Sequence, residues 1–268
     1  MSSAFVDVAG CGKPVRIEHQ WIAAEKRDVP LIVFLHEGLG SLAMWKDFPS
    51  ALCEAAGARG LVYSRPGYGR STPRSAAERW SLDFMHHQAY EVLPALLQAL
   101  DVDAEADRPW LFGHSDGGSI ALLYASRYPH RVAGVVAVAP HIMVEDLSVL
   151  SIDKTRTAYL ETDLRARLAK YHDDADSAFW GWNDVWLNPA FRAWSIQREL
   201  AGITAPLLAV QGLADEYGTL EQIRGIARVV PHAQLLELAH SGHSPQRDQP
   251  EALISASVAF IQRSTRGD

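Results

Sequence analysis

Three features of the sequence predict an α/β chain with a mostly parallel central sheet, flanking helices and an inserted helical lid. Short apolar runs alternate with longer stretches of helical period, the pattern of strands joined by crossover helices. One of those runs passes straight into a glycine-flanked serine and on into a helix, at Trp110-Leu111-Phe112-Gly113-His114-Ser115-Asp116-Gly117-Gly118. Between two later strands about 60 residues intervene, where a crossover needs only a dozen or more.

Strands are predicted at Leu31 to Leu35, Gly60 to Tyr63, Trp110 to Phe112, Ala133 to Val138, Leu207 to Gln211 and Gln234 to Leu238. Their continuous apolar character is that of strands covered on both faces. Val15 to Trp21 instead alternates apolar and polar residues and is expected as a half-exposed antiparallel edge strand. Helices are predicted over Leu82 to Leu100, Gly117 to Tyr128, Leu220 to Val229 and Pro250 to Arg263. The resulting division is a core of residues 1–139 and 201–268 with a helical lid at 140–200. Four of the chain's eight tryptophans, Trp180, Trp182, Trp186 and Trp194, fall in that lid.

Composition narrows the function. The chain has 268 residues, enough for one sizeable core, and 25 Lys and Arg against 32 Asp and Glu give a net charge of −7. No basic footprint for nucleic acid or a membrane surface stands out, so the expected partner is a small-molecule substrate, with a homodimer left open. Two cysteines, Cys11 and Cys53, indicate neither a disulfide framework nor a thiolate zinc site. With no export signal or spanning run, a cytoplasmic location is expected. No metal and no cofactor is expected either: HExxH is absent, and Gly38-Leu39-Gly40-Ser41 has neither a dinucleotide fingerprint nor a P-loop lysine.

The chemistry starts at Ser115. A sharp strand-to-helix turn holds the serine in a strained conformation that only small neighbours, here Gly113 and Gly117, permit. It exposes the hydroxyl at the carboxyl edge of the sheet, and the N–H of Asp116 at the helix start faces the same space. A serine needs a base to take its proton and a carboxylate to orient that base. His243, in the loop after the last strand, is the candidate base; His240, His114, His86 and His87 are assigned structural places. Asp215, in the loop after Leu207 to Gln211, is the candidate acid, with Glu216, and then Glu145 and Asp146, as fallbacks. A second oxyanion donor is available in His36-Glu37-Gly38-Leu39-Gly40, where the N–H of Gly38 is assigned that role.

The order Ser115, Asp215, His243, the strand-to-helix serine turn and the His-x-Gly loop together resemble the α/β-hydrolase fold. So do Arg65-Pro66-Gly67-Tyr68-Gly69-Arg70-Ser71 and the ending that begins at Gly242. The resemblance runs from Val15 to about Ile261. It implies a lid over the nucleophile and a pocket between lid and sheet edge, for which His36, Leu39, His141, Trp180, Trp182 and Trp186 are the candidate lining residues. Two departures stand out. Glu37 occupies a position that is usually glycine, and it is expected to turn away from the site and pair with Arg65. Ser244 follows the candidate base where hydrolases of carbon–carbon bonds often have an aromatic residue.

The expected activity is therefore serine hydrolysis of a small or medium carboxylic ester, thioester or lactone through an acyl-enzyme. Carbon–carbon bond hydrolysis on the same residues and non-catalytic ligand binding are the alternatives. Lys154, Arg156, Arg165 and Arg167 are read as a solvated face rather than a carboxylate trap.

Overall fold

A computed structural model describes residues 3–9 and 14–266; Cys11 lies outside the described residues. Its eight strands form one sheet in the order β1-β2-β4-β3-β5-β6-β7-β8. The strands are β1 (Ala4–Val8), β2 (Val15–Ile22), β3 (Leu31–Leu35), β4 (Arg59–Tyr63), β5 (Trp110–His114), β6 (Gly134–Val138), β7 (Leu207–Gly212) and β8 (Gln234–Leu238). From β4 to β8 all neighbours are parallel, while β1 and β2 are antiparallel additions.

Strand alternation explains why the central runs are apolar throughout. Leu31, Val33 and Leu35 join one core cluster with Leu111, Val135, Ala137, Leu207 and Ala209. Ile32 and Phe34 join the other with Trp110, Phe112, Val136, Val138, Leu208 and Val210. Each face is then covered by helices, and each fully buried Leu, Ile or Phe contributes about 1.5–3 kcal/mol.

The helices are α1 (Phe48–Ala56), α2 (Phe84–His87), α3 (Leu93–Ala99), α4 (Asp116–Arg127), α5 (Asp146–Glu161), α6 (Leu164–Leu168), α7 (Ala175–Trp186), α8 (Glu221–Val229), α9 (Pro245–Asp248) and α10 (Pro250–Arg266). Residues Gln88–Val92 form a π-helical turn between α2 and α3, so the predicted Leu82 to Leu100 helix is built in three pieces. The segment between β6 and β7 carries α5, α6 and α7. Among the described residues no helix is long and apolar enough to cross a membrane.

Two expectations are corrected, and one helix is added. Val15 to Trp21 is antiparallel but not at the edge: β1, whose five residues are too few for a sequence signal, pairs outside it. The other edge is β8, whose first four residues are exposed or half-buried, so Gln234 to Leu238 is not covered on both faces. Helix α1 has no counterpart among the predicted helices, although Pro49 near its start and the left-handed Gly57 at its end are the residues that helix ends favour.

The strands β3, β5, β7 and β8 all end on one edge, where the chain leaves β3 toward β4 and leaves β5 toward β6, in opposite directions along the sheet. Such a switch point opens a crevice between the departing loops. The β5-to-α4 turn enters this crevice with two glycines under backbone contact. A Cβ on Gly113 would collide with the carbonyl of Gly117, and one on Gly117 with the carbonyl of Leu35.

Gly117→Ala is expected to cost about 3 kcal/mol or more, because backbone must move. Gly57→Ala, at φ +62° but with open space around it, should cost about 1 kcal/mol. Urea denaturation of the two variants checks the difference.

Candidate active site

Ser115 sits at φ 53°, ψ −120° at the cap of α4, a conformation that β-carbon sterics disfavour and the surrounding packing imposes. Its N–H donates to the Val138 carbonyl at 2.9 Å, anchoring the turn to β6. Its Oγ lies 2.9 Å from His243 Nε2. On the other side of the ring, His243 Nδ1 lies 2.9 and 3.0 Å from the two carboxylate oxygens of Asp215. Asp215 Oδ1 also accepts the N–H groups of Tyr217 and Gly218, and Oδ2 accepts Gln211 Nε2. Burial opposes ionisation of Asp215, but the His243 bond and the nearby charge outweigh it and hold the carboxyl below its ordinary range. An ionised Asp215 keeps the proton of His243 on Nδ1 and leaves Nε2 free to accept from Ser115.

The serine opens on a cavity of about 220 Å³. Leu39, His141, Ile152, Trp182, Trp186 and Tyr217 supply most of its ring and aliphatic wall, and Gly38 and Asp116 border it. The structure thus brings Ser115, Asp215, His243, Gly38, Asp116, Leu39, His141, Trp182 and Trp186 to one place. A Cβ on Gly38 would overlap the Trp182 indole, which explains the glycine.

Two predicted lining residues are not brought there. His36 is fully buried behind the loop, accepting the Arg65 N–H at Nε2 (3.0 Å) and donating from Nδ1 to the Glu37 carbonyl (2.7 Å). Burial and the Arg65 charge push its pKa well below the ordinary value, so the ring is neutral. Trp180 points the other way on α7, packing edge-on to Phe179 and Tyr159 beside a different surface hollow.

Glu37 does not pair through its carboxylate with Arg65. Its Oε2 lies 3.5 Å from His114 Nδ1, while Arg65 Nη2 donates to the Glu37 main-chain carbonyl at 2.8 Å. Glu37 is among the residues that line the cavity. Burial opposes its charge, but the His114 contact prevails and lowers its pKa to about 2. His114 is buried beneath the serine turn, with Nε2 2.6 Å from the His243 carbonyl. Of the fallback acids, Glu216 accepts the His243 N–H. Glu145 instead binds Thr219 and Gln222, and Asp146 pairs with Arg192. Lys154 and Arg156 are exposed, and Arg165 and Arg167 pair with Asp176 and Asp163.

Other residues of the site escaped sequence reasoning. His172, between α6 and α7, accepts the Gly69 N–H at Nδ1 (2.9 Å) and reaches the Leu39 carbonyl with Nε2 (3.0 Å), tying two loops together. Tyr217 lies with its ring centroid 4.7 Å from that of His243, and its hydroxyl bonds Thr155 of α5. Nothing in the local sequence marks either residue, since their partners are 103 to 133 and 62 positions away respectively. Cys53 is free and buried, its thiol pushed up to about 12 by burial. Among the described residues no cluster of three or more His, Cys, Asp or Glu is arranged to hold a metal ion.

His141 is buried against Trp186, and burial followed by the His243 charge lowers its pKa to about 3. A histidine depressed in the folded state loses stability as the pH falls below its unfolded value near 6.5, because only the unfolded chain takes the proton. Between pH 6 and 4 the protein should therefore lose about 1.4 kcal/mol per pH unit that His141→Asn does not lose. Urea unfolding of both proteins across that range measures it.

Comparison with known proteins agrees with the fold. A family model described as the alpha/beta hydrolase fold matches residues 30–171. A bifunctional esterase/perhydrolase of Acinetobacter calcoaceticus is 30% identical over 268 residues, covering 88% of this chain and 93% of its own. A putative carbamate hydrolase of Pseudomonas savastanoi pv. phaseolicola is 26% identical over 270 residues, covering 92% and 99%. Among solved structures, one from work on carboxylesterases of Nitrososphaera gargenis superposes with a TM-score of 0.78 at 17% identity, covering 99% of this chain and 100% of that one.

Proposed function

Because the chain belongs to the alpha/beta hydrolase fold family and is an enzyme of the hydrolase class, we propose that it cleaves a small carboxylic ester, thioester or lactone through an acyl-enzyme on Ser115. The observation that carries this reading is the continuous chain Ser115 Oγ to His243 to Asp215, with each link at about 2.9 Å. It ends on a strained serine at the edge of a cavity.

Ser115 Oγ attacks the acyl carbon as His243 Nε2 removes its proton, and Asp215 stabilises the imidazolium that forms. The oxygen of the tetrahedral intermediate takes up negative charge and is received by the N–H groups of Gly38 and Asp116, each worth about 3 kcal/mol by mutational precedent. His243 returns the proton to the leaving oxygen or sulfur, and the acyl group stays on Ser115. Water then attacks with His243 again as base, releasing the acid and restoring the serine.

Cavity size and lining argue for the substrate class. A space of about 220 Å³ is smaller than drug-sized pockets of roughly 300–1,000 Å³, which favours a short acyl group packed against Leu39, Ile152 and Trp182. Helices α5 to α7 serve as a lid in this reading, since they contribute Ile152, Trp182 and Trp186 to the wall opposite the sheet. The cytoplasm is the proposed location.

Ser115→Ala should lower kcat on a p-nitrophenyl ester of a short acid by at least about 1,000-fold and abolish labelling by a fluorophosphonate. Persistent labelling of that variant would refute the nucleophile. Rates over a panel of acyl lengths, thioesters and lactones define the preferred substrate.

A further inference from the structure

The loop carrying Gly38 is held by an unusual convergence on one oxygen. The Glu37 carbonyl receives three donors: His36 Nδ1 at 2.7 Å, Arg65 Nη2 at 2.8 Å and the Gly40 N–H at 3.1 Å. That carbonyl and the Gly38 N–H belong to the same peptide unit. The unit is trans, as are all the described peptide bonds, so the two groups point in opposite directions across one rigid plane. Fixing the oxygen therefore aims the N–H.

We infer that Arg65 is a positioning residue for the oxyanion, aiming and polarising the Gly38 N–H through the carbonyl on the other side of its peptide. The inference rests on the acyl-transfer reading above. Arg65 governs two of the three donors. Its side chain supplies one directly. Its own N–H occupies His36 Nε2 at 3.0 Å, which leaves the proton of that neutral ring on Nδ1, where it donates to Glu37. Of the three, the guanidinium is the charged donor, and a charged bond to the carbonyl draws electron density through the amide and strengthens the N–H as a donor.

The Arg65 side chain is fully buried, with its guanidinium carbon 4.6 Å from the centre of the Tyr68 ring, and among the described residues Nε and Nη1 have no hydrogen-bond partner. The nearest carboxylate is that of Asp116, with Oδ2 at 3.8 Å from Nη2, too long for a hydrogen bond. Asp116 supplies the other proposed oxyanion donor from its main chain. One buried cation thus lies between the two loops that carry the two donors, and its directed bond goes to the peptide of Gly38.

The test compares the full-length parent with Arg65→Met and Arg65→Lys on the preferred p-nitrophenyl ester. An interaction realised in the transition state should appear in kcat. Arg65→Met is expected to lose at least about 30-fold in kcat, with KM within about threefold of the parent and partial recovery in Arg65→Lys. Affinity for a trifluoromethyl ketone, which forms a tetrahedral adduct on serine, should fall in parallel, while affinity for the uncleaved amide analogue of the substrate stays unchanged. A structural role alone would move neither ratio.

If Arg65→Met does not fold by circular dichroism, Arg65→Lys decides alone, and parent-like kcat and ketone affinity in it overturn the inference. Equal loss of ketone and amide affinity also overturns it. Ser115→Ala in the same assay keeps the two ideas apart: activity surviving there refutes acyl transfer on Ser115, whereas a dead Ser115→Ala beside a fully active Arg65→Met refutes only the role of Arg65.

Discussion

The turn from β5 into α4 is the constraint on which the rest of the site depends. Ser115 occupies a left-handed conformation because the helix must start immediately where the strand ends, with Gly113 and Gly117 in contact with backbone. Those contacts are made to the turn itself and to the end of β3. The strain is carried by the packed sheet beneath, whose central strands are buried on both faces. Removing that support would release the serine from the one position in which His243 Nε2 meets its Oγ.

Around this turn, burial sorts the ionisable groups into different roles. Asp215 is mostly buried, yet four donors keep it ionised, so it orients His243 rather than competing for its proton. Asp116 has one side-chain donor, Trp186 Nε1, and burial raises its pKa to about 6. His36, His141 and His172 are held neutral by burial. A neutral imidazole offers one donor and one acceptor, and His36 and His172 use both to join loops that are remote in sequence. Glu37 stands beside Gly38, the proposed oxyanion donor. Its main-chain oxygen, rather than its carboxylate, is what Arg65 holds.

The tryptophans divide by the same physics. Trp182 and Trp186, four residues apart on α7, share the face of that helix toward the serine, and Trp182 lies on the Cβ-free surface of Gly38. Trp180 falls on another face and packs with Phe179 and Tyr159, while Trp194 stacks on Phe191 and also meets Trp186. Helical periodicity distinguishes 180 from 182 and 186.

Much of this protein was legible in its residues alone, for reasons that are local. Continuous apolar runs mark buried parallel strands, and the Gly-His-Ser-Asp-Gly turn leaves so few backbone solutions that strand, serine and helix come as a unit. Chain order then places Asp215 and His243 in loops at the same sheet edge. What failed locally had no local cause. The outer strand β1 is too short to signal itself, and β8 has an apolar middle yet lies at the sheet edge, with no described strand pairing beyond it. Only the tertiary structure decided that Arg65 reaches the Glu37 carbonyl, that His172 ties Leu39 to Gly69 and that His36 faces away from the cavity. Each of these depends on side-chain direction across separations of 28 to 133 residues, and sequence pattern carries strand order far better than it carries the aim of a buried donor.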